Sequence, residues 1–213
     1  MSTERSAYDA TYAEWQLGRS RSLPRRLVKS LYLNNILRDV RGPTIDFGCG
    51  AGQLLARLPE GSIGLEVNPS LVEALTRRGL DVVHYDPEAD QFRLAELRPN
   101  AFKTFVMAHV LEHFEDAANS LKRLLGSCRR LGVERVIVVV PGARGYASDD
   151  THRTFVNRAF LEEHGLLEFG GYAVTSLSFF PINMESLGRL FAYHELKIIF
   201  DPSSDAEAPL TQR

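Results

Sequence analysis

The feature that most constrains this chain is a glycine-punctuated turn, Asp46-Phe47-Gly48-Cys49-Gly50-Ala51-Gly52. It is entered from the apolar run Thr44–Phe47 and left through Gln53-Leu54-Leu55-Ala56-Arg57-Leu58. Three glycines in five positions let the chain reverse tightly and let a ligand lie directly against the backbone. The pattern predicts a strand, the turn, and then a helix over Gly52–Leu58 whose free N–H groups point into the same space. Glu66 follows twenty residues after Asp46, in Gly64-Leu65-Glu66-Val67-Asn68, at the end of the next predicted strand. A carboxylate there is placed to take both hydroxyls of a ribose. The unit is built to hold a nucleoside.

A dinucleotide site reads Gly-x-Gly-x-x-Gly and seats a pyrophosphate on a helix N-terminus. Here no glycine stands three positions after Gly50, and no Gly-x-x-x-x-Gly-Lys-Ser/Thr pattern supplies a phosphate-binding lysine. Asp46, two residues before Gly48, would repel a pyrophosphate but accept hydrogen bonds from an ammonium group. Asp46-x-Gly48-x-Gly50-x-Gly52 resembles motif I of the class I S-adenosylmethionine (SAM)-dependent methyltransferases, and Gly64–Asn68 resembles their ribose motif. The resemblance spans about residues 40–200. It implies SAM as cofactor and S-adenosylhomocysteine as product. Asp46, Phe47, Gly48, Cys49, Gly50 and Gly52 would then hold the amino-acid part, and Glu66 with Val67 the ribose. Asp86 ends the third predicted strand, where the family places an acid on the adenine amino group; with Pro87 behind it, it also fits a helix cap.

The 213 residues, 44% hydrophobic and 24% charged, suit one α/β domain with a sizeable core. A formal charge of −2 gives no global field toward nucleic acid or anionic lipid. Cys49 and Cys128 form neither a disulfide framework nor a zinc cluster, and they suit a reducing cytosol. The longest aliphatic run, Val136–Val140, is far too short to span a bilayer, and the N-terminus lacks a signal-peptide core. A cytoplasmic location is expected.

Along the chain, predicted strands Thr44–Phe47, Ser62–Val67, Asp81–Tyr85, Ala101–Ala108 and Arg135–Val140 alternate with predicted helices Leu71–Arg78 and Asp116–Leu131. This is the rhythm of a doubly wound parallel sheet that carries its ligand over the carboxyl ends of the strands. Beyond a short helix over Asn157–His164, β-rich stretches Tyr172–Phe180 and Tyr193–Phe200 follow. The resemblance implies that these close a Rossmann-like α/β fold of seven strands in order 3-2-1-4-5-7-6, the last strand antiparallel, with helices on both faces. Residues 1–40 are read as a helical lid or cap, 41–200 as the SAM-binding domain and 201–213 as a disordered tail. In the first of these, Tyr8, Tyr12 and Trp15 would share one side of a helix, either docked on the body or, as the resemblance implies, forming a lid in which Tyr12 and Trp15 meet the acceptor. The basic set Arg19, Arg21, Arg25, Arg26 and Lys29 can face solvent or an anionic acceptor.

Two further stretches carry chemistry. His109-Val110-Leu111-Glu112-His113, after the fourth strand, resembles the His-x-Leu-x-His block of the type 11 and type 23 methyltransferases. That likeness lays Ala108 and His109 along the cofactor's methionine part. Either His113 or His109 can take a proton near neutral pH. The block, joined by His152, can alternatively ligate a metal through His109, Glu112, His113 and His152, as a Glu-x-x-Glu-His block and a distant His do in the small-RNA 2′-O-methyltransferases. His109 stands where their first Glu does, which leaves Mg²⁺ short of oxygen ligands, and a metal-free site is the expectation.

The second stretch, Pro141–Phe155, is long for a strand-to-helix link and dense in polar groups. His152, oriented by Asp149 or Asp150, is the first choice for a catalytic base and His113 the second; Arg144, Asp149 and Arg153 are expected at the acceptor. An Asn-Pro-Pro-Tyr/Phe block, the mark of amino methylation, is absent. The expected activity is O-methylation of a glycan or small metabolite, as in bacterial surface-polysaccharide gene sets. An RNA methyltransferase and a non-catalytic SAM-binding partner module are the alternatives.

Overall fold

The structure, a computed structural model, describes residues 23–189, 191 and 193–203. Five parallel strands form its centre: β1 (Thr44–Phe47), β2 (Ile63–Glu66), β3 (Val82–His84), β4 (Thr104–Ala108) and β5 (Arg135–Pro141). The crossover helices are α1 (Leu23–Leu37), before β1, then α2 (Pro69–Arg77) and α3 (Ala117–Arg130). After β5 come α4 (Ala143–Tyr146), α5 (Arg158–Glu163), β6 (Glu168–Phe169), β7 (Tyr172–Phe180) and β8 (Glu195–Pro202). The sheet order is β3-β2-β1-β4-β5-β8-β7-β6, with β8 antiparallel to β5. This is the expected 3-2-1-4-5-7-6 arrangement with one short strand added at its edge. Gly170 and Gly171, both at positive φ (61° and 81°), make a two-residue turn that folds Glu168–Phe169 back onto Tyr172–Ala173.

Strand alternation divides the core. Ile45, Phe47, Phe105, Met107, Val136 and Val138 point to one face, where Leu121, Leu124, Leu125 and Cys128 of α3 cover them. Val106, Ile137 and Val139 point to the other, against Leu33 and Ile36 of α1. The central strands are buried on both sides, so they read as near-continuous apolar runs. Asp116 Oδ1 caps α3 by accepting from the Asn119 N–H at 3.1 Å. No helix among the described residues is long and apolar enough to cross a membrane.

The helix predicted over Gly52–Leu58 does not form. Gly52 sits at φ 69°, a left-handed geometry that interrupts a right-handed helix, and Pro59 follows closely. Only a 3₁₀ turn, Leu55–Arg57, remains, its Leu55 buried beneath it. Asp201 and Pro202, assigned to a tail, complete β8 instead. Asp201 Oδ1 and Oδ2 accept the Arg135 guanidinium through two bonds of 2.8 Å. Tyr12, Trp15 and residues 204–213 lie outside the described residues.

Helix α1 is pinned at its end by Lys197 of β8, whose Nζ donates to the Asn35 carbonyl at 3.0 Å and Asp39 Oδ2 at 2.6 Å. Earlier in the helix, the Tyr32 ring lies 5.6 Å from that of His109, at the carboxyl end of β4. The helix therefore descends from the carboxyl edge of the sheet to its amino edge.

Candidate functional site

The carboxyl ends of β1, β2 and β4 form a cradle lined with acids. β1 delivers Asp46 into it, 3% exposed, with Oδ2 lacking a partner among the described residues. Burial, opposed by the Leu55 N–H and reinforced by Glu66, pushes its carboxyl up to about 7. Gly48 and Gly50 follow at φ 71° and 54°. A Cβ on Gly48 would lie 2.5 Å from Val110 Cγ2, so this glycine lets the β1 turn and the segment after β4 meet. Glu66 ends β2 with Oε2 accepting from the Gly50 N–H (2.8 Å) and Oε1 from the Asn68 N–H (2.9 Å). Burial raises its carboxyl and those N–H groups partly restore it. One acid thus ties the glycine turn to the next strand while its other lone pairs stay open.

Two groups enter the same space from distant parts of the sequence. His109, at φ 57°, places Nε2 3.0 Å from Glu195 Oε1 and Nδ1 3.3 Å from Glu112 Oε1. Burial works against its charge, but the two carboxylates win and push the imidazole up to about 10. Tyr32 stands over it with its hydroxyl unpartnered among the described residues; burial and then Glu195, Asp46 and Glu112 raise the phenol. Gln53 Oε1 and Glu195 Oε2 are buried and unpartnered as well. Orphan acceptors concentrated in this way call for a ligand rich in positive charge and N–H donors. The ammonium and sulfonium of SAM fit that description, and a pyrophosphate does not.

Beside the cradle lies a second group. The 3₁₀ turn Leu111–His113 directs the Glu112 carboxylate inward, 0% exposed and without a hydrogen-bond partner among the described residues, while His113 faces outward. The Glu112 carbonyl accepts from the N–H groups of Arg153 (2.7 Å) and Thr154 (3.1 Å), which fixes the end of the loop after β5. That loop brings His152 to 4.9 Å from the His113 ring. The Tyr146 ring stacks on His152 at 5.4 Å, and the Tyr146 carbonyl lies 2.8 Å from Nδ1. His152 Nε2 then faces Glu112 Oε1 at 3.9 Å. Ligand-capable atoms of Glu112, His113 and His152 all lie within 4.8 Å of one another.

Comparison with known proteins agrees with this geometry. A family model described as a methyltransferase domain, of the type 11 group, matches residues 45–134. The chain carries a methyltransferase domain with the class I SAM-dependent fold. Among solved structures, a SAM-dependent methyltransferase from Archaeoglobus fulgidus is 19% identical, with a TM-score of 0.63, over 91% of this chain and 100% of that one. Magnesium protoporphyrin IX methyltransferase from Synechocystis PCC 6803 aligns with its SAM-bound form at 14% identity and a TM-score of 0.64, over 93% of this chain and 94% of that one. Its form with bound S-adenosylhomocysteine aligns at 15% and 0.61, over 93% and 98%. At such identities these likenesses speak for the fold. No curated protein matches the sequence.

In the methyltransferase the predicted residues are distributed unevenly. Asp46, Phe47, Gly48, Cys49, Gly50, Gly52, Glu66 and Val67 occur together on the adjoining ends of β1 and β2, and Ala108 and His109 end β4 beside them. Asp86 is exposed, and its Oδ1 accepts from the Glu88 and Ala89 N–H groups (3.0 and 3.1 Å), capping a turn rather than a helix. The expectation that Asp149 or Asp150 orients His152 is corrected: a backbone carbonyl does so, because Asp149 Oδ1 is taken by Thr151, through its N–H at 3.0 Å and Oγ1 at 2.6 Å. His109 leaves the four-residue metal set, since both its nitrogens face carboxylates and the three-residue cluster excludes it. Arg144 and Arg153 are exposed along the loop. Tyr32, Gln53 and Glu195 were missed; the bond from His109 to Glu195 spans 86 positions, and no local pattern announces it.

Proposed function

We propose that this methyltransferase methylates a hydroxyl oxygen on a sugar, glycan or other small hydroxylated metabolite. One observation carries the reading: a carboxylate and two imidazoles, Glu112, His113 and His152, converge directly beside the acid-lined cradle. A neutral amine already carries a nucleophilic lone pair, whereas a hydroxyl must shed its proton to become a strong nucleophile. Asp46 would accept from the cofactor's ammonium, Glu66 from its ribose and Asp86 from its adenine amino group. Bound SAM supplies an electrophilic methyl, and the protein's task is then to align, dehydrate and deprotonate the acceptor. His113, exposed, meets the acceptor first; His152, only 9% exposed, stands behind it with Nε2 turned to Glu112. Arg144, Asp149 and Arg153 would bind the acceptor's polar groups, with Tyr12, Trp15 and the N-terminal segment as a lid. The free cysteines Cys49 and Cys128 suit work in the cytoplasm.

An intact-mass screen of hydroxylated metabolites and glycans with SAM tests the proposal. Expected is a gain of one methyl on oxygen, slowed roughly 100-fold or more by His113→Ala or His152→Ala with SAM affinity kept. Methylation at nitrogen, or full activity in both variants, would overturn it. Binding of SAM without turnover on any acceptor would favour the partner-module alternative.

A further inference from the structure

The buried carboxylate of Glu112 keeps hydrogen-bonding capacity that the described groups do not fill. Its carboxylate is 0% exposed and neither oxygen has a hydrogen-bond partner among the described residues. The nearest nitrogens are His109 Nδ1 at 3.3 Å and His152 Nε2 at 3.9 Å from Oε1. His109 is already engaged on its other side by Glu195. His152 is the informative neighbour. A carbonyl can only accept, so the contact of 2.8 Å with Tyr146 O places the ring proton on Nδ1. In the neutral ring Nε2 then carries a lone pair, aimed at an oxygen that offers only lone pairs. At 3.9 Å the two are too far apart to share a proton. A metal ion bonded at about 2.0–2.2 Å to each would fill that interval.

The third side of the cluster has the same form. His113 Nδ1 meets the Thr151 carbonyl at 3.3 Å and its Oγ1 at 3.2 Å, which leaves Nε2 for a ligand. Thr151 is in turn held by Asp149. Each imidazole therefore has its far nitrogen fixed by an outer partner, the arrangement that orients metal-binding histidines. We propose that Glu112, His113 and His152 bind a divalent first-row transition-metal ion, with its remaining positions open on the His113 side to the acceptor's oxygen. Two imidazoles and one carboxylate suit Zn²⁺, Co²⁺ or Fe²⁺ better than Mg²⁺, which demands more oxygen ligands.

This rests on the hydroxyl reading above and states how the cluster serves it. A hydroxyl bound to the cation releases its proton to water. The resulting alkoxide forms a bond to the methyl carbon as the bond from that carbon to sulfur breaks, and the electron pair stays on sulfur as the sulfonium becomes a thioether. The imidazoles then act as ligands, and neither needs to carry the proton away.

The test reads binding and turnover separately. Full-length protein stripped with a chelator is titrated with Co²⁺, followed by its visible absorption, and then with Zn²⁺ in competition. Expected is one saturable equivalent, weakened at least ten-fold by each of Glu112→Gln, His152→Ala and His113→Ala. His113 is exposed, so its variant keeps the fold even where replacement of buried Glu112 does not, and an unchanged SAM affinity verifies this. No saturable Co²⁺ binding, or binding in both His113→Ala and His152→Ala as tight as in wild type, overturns the site. Undiminished hydroxyl methylation in excess chelator also overturns it while the O-methylation reading stands. If no hydroxyl is methylated, that reading fails, and the Co²⁺ titration still decides the metal.

Discussion

Asp46 shows how a residue proposed to bind the cofactor is held at odds with folding. In solution a carboxyl titrates near 4, yet burial raises this one to about 7. The folded state therefore keeps a proton that the unfolded chain has released, and stability falls as pH rises from about 4 to about 7. Asp46→Asn removes a buried charge, so the free protein is expected to melt higher than wild type at pH 8. The same change should weaken SAM roughly 10- to 100-fold, the weight of one hydrogen bond to a charged group; calorimetry on the pair would show both effects. At Gly48 the sign is the same for both properties. Alanine there meets a left-handed backbone, costing about 1–2 kcal/mol, and also meets Val110. A lower urea midpoint and a loss of SAM binding are expected together. Asp46, the glycines and Glu66 were legible in the sequence because one turn and one strand spacing fix them all. Tyr32 and Glu195 were not, since they reach the site only through the packing of α1 and the pairing of β8 with β5.

Among the elements, the junction of β4 with β8 depends on one imidazole. His109 bonds Glu195, the first residue of β8, and lies against Glu112 in the turn after β4. Its pKa of about 10 lies above the value near 6.5 of a free histidine. The pairing therefore stabilises fully below about pH 6.5, and its contribution is lost as pH rises toward 10. Melting temperatures of wild type should fall across that window, and His109→Gln, which cannot titrate, should flatten the decline. A parallel fall in both proteins would show that another group governs it. Most elements could be read from their periodicity, α3 and β7 among them. The helix after the glycine turn could not. Its apolar pattern fits a helix, but Gly52 is held left-handed against Leu75 and Leu80, a tertiary demand that local propensity does not contain.

For the molecule as a whole, the two ends of the described chain leave from opposite rims of the sheet. Helix α1 descends from the carboxyl rim, and its first residue, Leu23, precedes Tyr32 by nine positions, about 13 Å of helix above the His109 ring. β8 runs antiparallel to β5, so Phe200 sits opposite Val136 and the chain departs at the amino rim. Protein engineering on this scaffold is consequently asymmetric. A fluorescent protein or surface tether joined directly to Leu23 would start from the rim proposed for the acceptor, and should cut turnover on a bulky acceptor far more than the melting temperature. The same cargo joined directly after Ser203 would start from the far rim and should leave both unchanged. A conjugate, biosensor or immobilised form of this methyltransferase is best built from the rim where β8 ends.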